Sequence, residues 1–235
     1  IKVSNPILQD HSPVFDPTGK YLAFISARIF NPVYDNLHFD LGFPRGEKPY
    51  IISLNKENDS PFYKSNPKPI KDKKDDEDKD KKKKEDKIKT LTKIDFENIE
   101  DRIIAVPTKE GLFGDIGFVD NKLFYSSYSD EGSYSDIPWY DFSSSDKSTI
   151  LFYDLQTNKE KVFMPSISSF TAYPLLDSIM IKSKGIIRIL NASLPPTKEI
   201  LSDSEYNQNS GKIDLNRARV SINPIKEWEQ MYSEA

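Results

Sequence analysis

Cysteine is absent from this chain of 235 residues, and histidine and glycine are scarce. The lack of cysteine excludes disulfide bonds, thiolate metal sites and a cysteine nucleophile, and it is typical of a cytoplasmic protein. Only 2 histidines are available as general bases or metal ligands. The 9 glycines are scattered at turns and form no phosphate-binding loop. From these absences we expect no cofactor.

A long apolar run and a strong net charge of one sign are also missing. No segment is long and apolar enough to span a membrane, and the amino end shows no signal-peptide pattern. The formal net charge of -4 gives no electrostatic basis for binding nucleic acid. We therefore expect neither a membrane nor a nucleic acid among the partners.

One stretch holds much of the charge. Residues 71–89, KDKKDDEDKDKKKKEDKIK, mix both signs around a single apolar residue, Ile88. Such a segment cannot bury enough apolar surface to offset the conformational entropy lost on ordering. It is predicted to be a disordered, solvated loop, and its mixed sign argues against a binding tail or a nuclear signal.

Elsewhere the chain alternates short β-rich runs with tight turns. Residues 11–26, HSPVFDPTGKYLAFIS, predict a hairpin whose turn contains Asp16 and Gly19. Residues 117–127 and 149–163 predict two more hairpins, and 168–190 predict three strands. Strands without intervening helices indicate a sandwich, a barrel or a propeller.

The Asp-Pro-x-Gly-Lys turn favours the propeller, because it is typical of the turn between the first two strands of a blade. The units are spaced roughly as propeller blades are. About three blades can be counted, which is too few to close a ring. We predict an all-β partial propeller.

A helical period begins near the end of the sequence. Asn223 is a good cap and Pro224 suits the first helical position. Trp228, Met231 and Tyr232 then recur at helical spacing. We interpret this helix as the start of a following α-helical domain. Because both ends stop within a pattern, we expect the chain to be part of a longer protein.

The sequence contains no complete active site. A nucleophilic serine needs a base within hydrogen-bond reach, and the only histidines are His11 and His38. There is no G-x-S-x-G nucleophile elbow. His11 is interpreted as a structural or surface residue, and His38 and Asp40 lack a third metal ligand or triad member. We therefore predict no catalytic residue and no metal site.

Longer stretches resemble a known family. Residues 27–54, ARIFNPVYDNLHFDLGFPRGEKPYIISL, together with the hairpin at 11–26, resemble the second propeller of the tricorn protease family. The charged run followed by 94–111, IDFENIEDRIIAVPTKEG, fits the same family pattern. Residues 212–235 resemble the junction with the helical start of the catalytic half. The resemblance covers essentially the whole chain.

The resemblance implies a large cytoplasmic serine peptidase that degrades oligopeptides released by the proteasome and assembles as a homohexamer. It also implies a seven-bladed propeller, of which about three blades lie here, followed by the start of an α-helical domain. The family's catalytic Ser, His and acid match no residue of this chain. We therefore expect this part to form a propeller channel or docking wall and to be inert alone.

The resemblance also gives expected boundaries. Propeller blades are expected in residues 1–69 and 91–212, with the charged disordered loop at 70–90 between them. The closing segment and the first helix of the next domain are expected in residues 213–235.

A peptide channel would carry cations that attract carboxylates over the Debye length. Candidates near strand ends are Arg28, Lys182, Lys184 and Arg188.

Two other functions stay open. A non-enzymatic propeller could bind a protein or another ligand, but such a ring would close with a strand and would not begin a helix with Trp228. A prolyl-oligopeptidase-type cap is disfavoured because the chain passes into EWEQMYSEA (227–235), with no approach to a hydrolase elbow.

Overall fold

The computed structural model describes residues 3–4, 9–35, 40–43, 45–58, 60–62, 92–129, 147–217, 219, 221 and 223–234. The charged run at 71–89 and His38 lie outside the described residues. The strands are β1 Gln9–Phe15, β2 Tyr21–Ala27, β3 Val33–Asp35, β4 Asp40–Gly42, β5 Glu47–Ser53, β6 Ile103–Ala105, β7 Leu112–Val119, β8 Lys122–Tyr128, β9 Ser148–Asp154, β10 Lys159–Ile167, β11 Ser169–Tyr173, β12 Ser178–Ser183 and β13 Ile186–Asn191. The α-helices are α1 Lys198–Ser202 and α2 Pro224–Glu234.

Three antiparallel sheets follow one another along the chain. Blade 1 has the strand order β1-β2-β5-β6, blade 2 has β7-β8-β9-β10, and blade 3 has β11-β12-β13. In blade 3, the chain from Gly211 to Ile213 pairs with β13 in the place of a fourth strand. Its amide–carbonyl bonds join Ile213 to Ile187 at 3.0 Å and Ile189 to Gly211 at 2.8 Å.

The first strands of the three blades lie side by side, because β7 contacts β1 on one side and β11 on the other. Blades 1 and 2 enclose one apolar core, which includes Ile25, Ile51 and Phe118. Blades 2 and 3 enclose a second core, which includes Phe124 and Ile181. Sheets that pack in sequence around their first strands form a propeller sector, so the fold prediction is confirmed.

The predicted hairpins are present with the expected turn chemistry. The Gly19 amide donates to the Asp16 carbonyl at 2.9 Å, and Gly19 has a φ of +69°, which suits glycine. Asp120 turns the chain between β7 and β8 with a φ of 52°. Asp and Asn tolerate this left-handed conformation better than most residues, so the turn needs no glycine.

Long insertions lie within blade 1. Residues 28–46, between β2 and β5, include the ribbon β3–β4. The exposed rings of Phe30, before the ribbon, and Phe43, after it, lie 5.6 Å apart. The charged run falls between β5 and β6, the third and fourth strands of the same blade. The expected domain boundaries at 69, 90 and 212 stay predictions.

The terminal helix begins where the sequence predicts. Pro224 is its first residue, and the Asn223 side chain accepts the Lys226 amide at 3.5 Å. The Trp228 and Met231 side chains are exposed. The role of helix α2 as the first element of a further domain stays a prediction. Among the described residues, no helix has the length and apolar character needed to cross a membrane.

Candidate functional site

A groove runs along the inner strands of the three blades. Its walls come from β1, β7 and β11, and its lining includes Ser12, Asp115 and Thr171. Of the described residues that line it, none is a cation. Because first strands face the axis of a propeller, this groove is the part of the chain that would border an axial channel.

Two β-bulges shape the groove. The pairing register shifts between His11 and Val14 in β1, and between Phe113 and Ile116 in β7. Bulges of this kind leave backbone groups without ladder partners. In β7 the freed Asp115 amide donates to the buried Ser126 hydroxyl at 2.8 Å, so a side chain from β8 satisfies it.

Arg28, the first of the predicted channel cations, follows β2 in blade 1. Its guanidinium donates to both Asp10 carboxylate oxygens at 3.1 and 3.2 Å and lies over the Phe24 and Tyr50 rings. Burial of the Asp10 carboxyl opposes its ionisation, but hydrogen bonds from Ser26, Ser4 and Arg28 outweigh this and hold its pKa below the ordinary value. The Arg28 charge is therefore directed at a partner within its own blade.

The other three cations lie in blade 3. Lys182 on β12 and Lys184 in the β12–β13 turn are exposed. Arg188 on β13 is 7% exposed and donates to the carbonyl oxygens of Ser210 at 2.6 Å and Leu201 at 2.9 Å. None of the four cations is brought into the groove, and their assignment to a peptide channel stays a prediction.

The described part of the chain contains no group of three His, Asp or Glu side chains that could hold a metal ion. His11 lies on β1 with its side chain 41% exposed, and its Nε2 is 3.4 Å from Glu47 Oε1. Asp40 begins β4, and its side chain lies outside the described residues, as His38 does.

Sequence reasoning missed the side chains that tie the blades together. Glu47 and Asp115 bind backbone amides of the next blade, and Lys122 donates to the Ala192 carbonyl at 3.2 Å. Within blade 2, Tyr125 donates to the Glu160 carboxylate, and its burial, together with that carboxylate, raises the pKa of Tyr125. Asp115 was detectable as a lone carboxylate in the strand LFGDIGFV, but its partner is 55 residues away.

The Asp10–Arg28 pair predicts a pH-dependent stability. A carboxyl whose folded pKa lies below its unfolded value of 3.8 stabilises the fold above that pH, and the stabilisation is lost as the pH falls through the folded pKa. Arg28→Met should lower the free energy of unfolding by about 1–2 kcal/mol near neutral pH, because a charged hydrogen bond is lost from a partly exposed site. The deficit should shrink below about pH 4.

Urea denaturation at a series of pH values measures this difference. Lys56→Met is the control, since Lys56 and Glu97 form an ion pair on the exposed surface. Such pairs contribute little at any pH. A deficit in the Arg28 variant that stays constant from neutral to acidic pH would show that the Asp10 carboxylate is not its cause.

The fold matches a known structure. The crystal structure of the tricorn protease aligns with 99% of this chain at a TM-score of 0.67 and 18% identity, and the alignment covers 20% of that chain. At this identity the likeness shows the fold alone.

Sequence relatives point the same way. A putative Tricorn-like protease C-terminal subunit of Sulfurisphaera tokodaii is 29% identical over 236 residues, which cover 100% of this chain and 24% of the relative. A Tricorn protease homolog of Saccharolobus solfataricus is 28% identical over 235 residues, covering 100% of this chain and 19% of the relative. The chain therefore spans about a quarter or less of the length of these relatives.

Residues 1–193 match the family model of the Tricorn protease second beta propeller domain. The chain thus belongs to the tricorn protease family, and most of its length matches the second propeller domain of that family.

Proposed function

We propose that this chain is the propeller part of a tricorn-type serine protease that degrades oligopeptides. In this proposal the chain forms part of the wall of a peptide channel, or a surface on which peptides dock. The observation that carries the proposal is the groove along β1, β7 and β11. An extended peptide passing along a propeller axis would contact the inner strands first. The chain supplies passage and contacts, and hydrolysis takes place elsewhere in the longer polypeptide.

The chemistry of the described residues supports inertness of this part alone. His11 contacts Glu47 and Ser12, and its ring nitrogens lie 3.4 Å from Glu47 Oε1 and 3.1 Å from Ser12 Oγ. The Ser12 hydroxyl is on an exposed β-bulge of β1. The resemblance to the family places its catalytic Ser and His at no residue of this chain, so the contact between His11 and Ser12 is not the family's catalytic pair. We also propose a cytoplasmic protein that assembles with further copies of itself.

The experiment uses the full-length polypeptide that contains this chain. Thr171→Trp narrows the groove, since Thr171 is an exposed residue of β11 within it. The expected result is slower hydrolysis of long fluorogenic oligopeptides, with hydrolysis of a short fluorogenic tripeptide amide much less affected. Lys161→Trp is the control, because Lys161 is exposed on β10, the outermost strand of blade 2.

Two outcomes would contradict the proposal. An unchanged ratio of long to short substrate turnover in the Thr171 variant would remove the channel role. Hydrolysis of either substrate by the purified 235-residue chain would show that the chain is not inert.

A further inference from the structure

Glu47 joins blade 1 to blade 2 at the first residue of β5. Its backbone exchanges two hydrogen bonds with Gly111, each 3.1 Å long, just before β7 begins. Its carboxylate Oε2 then accepts the Phe113 amide at 2.9 Å, while Oε1 faces His11 of β1. One residue thus contacts the inner strands of both blades.

Asp115 makes the corresponding contact between blades 2 and 3. It lies in the β-bulge of β7, and its carboxylate Oδ2 accepts the Phe170 amide at 2.9 Å. Its own amide donates to the Ser126 hydroxyl at 2.8 Å, which holds the backbone of the bulge that carries the side chain.

The two carboxylates come from different strands but reach equivalent backbone positions. Phe113 is the second residue of β7 and Phe170 is the second residue of β11. Both phenylalanine side chains are buried, at 6% and 5% exposure. A backbone amide in a buried position needs an acceptor, and the inner edge of a blade offers no further strand. A carboxylate is a stronger acceptor than a neutral oxygen.

We propose that Glu47 and Asp115 are interblade latches: carboxylates that fix the separation of neighbouring inner strands and thereby the width of the groove. Each latch holds its own junction, blade 1 to blade 2 for Glu47 and blade 2 to blade 3 for Asp115. This role is independent of the proposed function, since it needs only the observed contacts between blades.

Amide hydrogen exchange measured by NMR on the whole 235-residue chain tests the latches separately. Glu47→Ala should speed exchange of the Phe113 amide at least tenfold and leave the Phe170 amide unchanged. Asp115→Ala should do the reverse. Glu110→Ala is the matched control, because Glu110 pairs with the Lys48 side chain at 3.7 Å and the Asn31 side chain at 3.3 Å. It should change neither amide.

A second measurement tests the spacing. Because the chain has no cysteine, spin labels attach only to cysteines that are introduced. We place them at two exposed positions, Lys56 of blade 1 and Lys161 of blade 2. Their distance distribution should broaden in Glu47→Ala and remain as in the parent in Glu110→Ala. Glu47→Gln keeps an uncharged acceptor, so its distance distribution should have a width between these two. This variant replaces Glu47→Ala if the alanine variant does not fold.

Three results would overturn the proposal. The first is equal acceleration of both amides by either single variant, which would indicate general loosening of the sector. The second is unchanged exchange of the Phe113 amide in both Glu47 variants. The third is an unchanged label distribution in a Glu47 variant whose Phe113 amide exchanges faster, since the contact would then satisfy an amide without setting the spacing.

Discussion

Replacing Arg188 with methionine should lower the free energy of unfolding by about 3 kcal/mol. The methionine keeps much of the apolar stem but removes the donors that bind the Ser210, Leu201 and Asp203 carbonyls. Each buried polar group left without a partner costs about 1–3 kcal/mol. For a domain of this size, such a loss corresponds to a fall in the melting temperature of roughly 6–12 °C.

The position of Arg188 explains why the effect should be large. Leu201 lies in α1, and Ser210 precedes Gly211, which begins the fourth-strand segment of blade 3. Gly211 has a φ of +64°, and a Cβ there would lie 2.2 Å from the Ile189 carbonyl oxygen. One guanidinium therefore holds both segments that follow β13 against the blade.

Calorimetry and hydrogen exchange together test this prediction. Exchange at the Ile189 and Ile213 amides should accelerate in Arg188→Met, since both pair across the edge of β13. Lys182→Met on the neighbouring strand β12 is the control, and as an exposed substitution it should change stability by no more than about 0.5 kcal/mol. Equal stabilities of the two variants would refute the structural role of Arg188.

Arg188 also shows where sequence reasoning reaches its limit. The hairpins were predictable because each turn carries its own chemistry within five or six residues, as Asp16 and Gly19 do. The sequence IIRIL places Arg188 in an apolar strand, and the sequence prediction made it an accessible channel cation, whereas its side chain is buried in blade 3. The carbonyl groups to which Arg188 donates lie in helix α1 and the segment after it, 13 to 22 residues further along the chain. No local pattern encodes that path.

The groove is likewise predictable from the sequence only in part. The order of strands within each blade follows from the succession of hairpins, so the inner position of β1, β7 and β11 is accessible from the sequence. The contacts between blades are not, because they join residues such as Asp115 and Phe170 across separate hairpins. The ribbon β3–β4 was not predicted from the sequence, since its strands have only three residues each.

Substituting alanine for Gly117 should destabilise the contact between blades 2 and 3 by about 2 kcal/mol. Gly117 lies on β7, and a Cβ at this position would lie 2.5 Å from the Ala172 Cβ on β11. This distance is far inside van der Waals contact, so the inner strands must move apart. Overpacking of this kind costs about 1–3 kcal/mol. Urea denaturation of the chain measures the loss.

The reciprocal exchange provides the decisive control. Ala172→Gly removes the methyl group that Gly117→Ala would meet, so the double variant moves one methyl group from β11 to β7 and relieves the clash. The double variant should be more stable than the sum of the two single effects predicts, by at least 1 kcal/mol, as expected for residues in contact. Gly185→Ala allows a further comparison, because a Cβ there meets nothing within 4 Å and only its positive φ of +73° opposes the change. Additive effects of Gly117→Ala and Ala172→Gly would mean that β7 and β11 do not approach each other as closely as the structure shows.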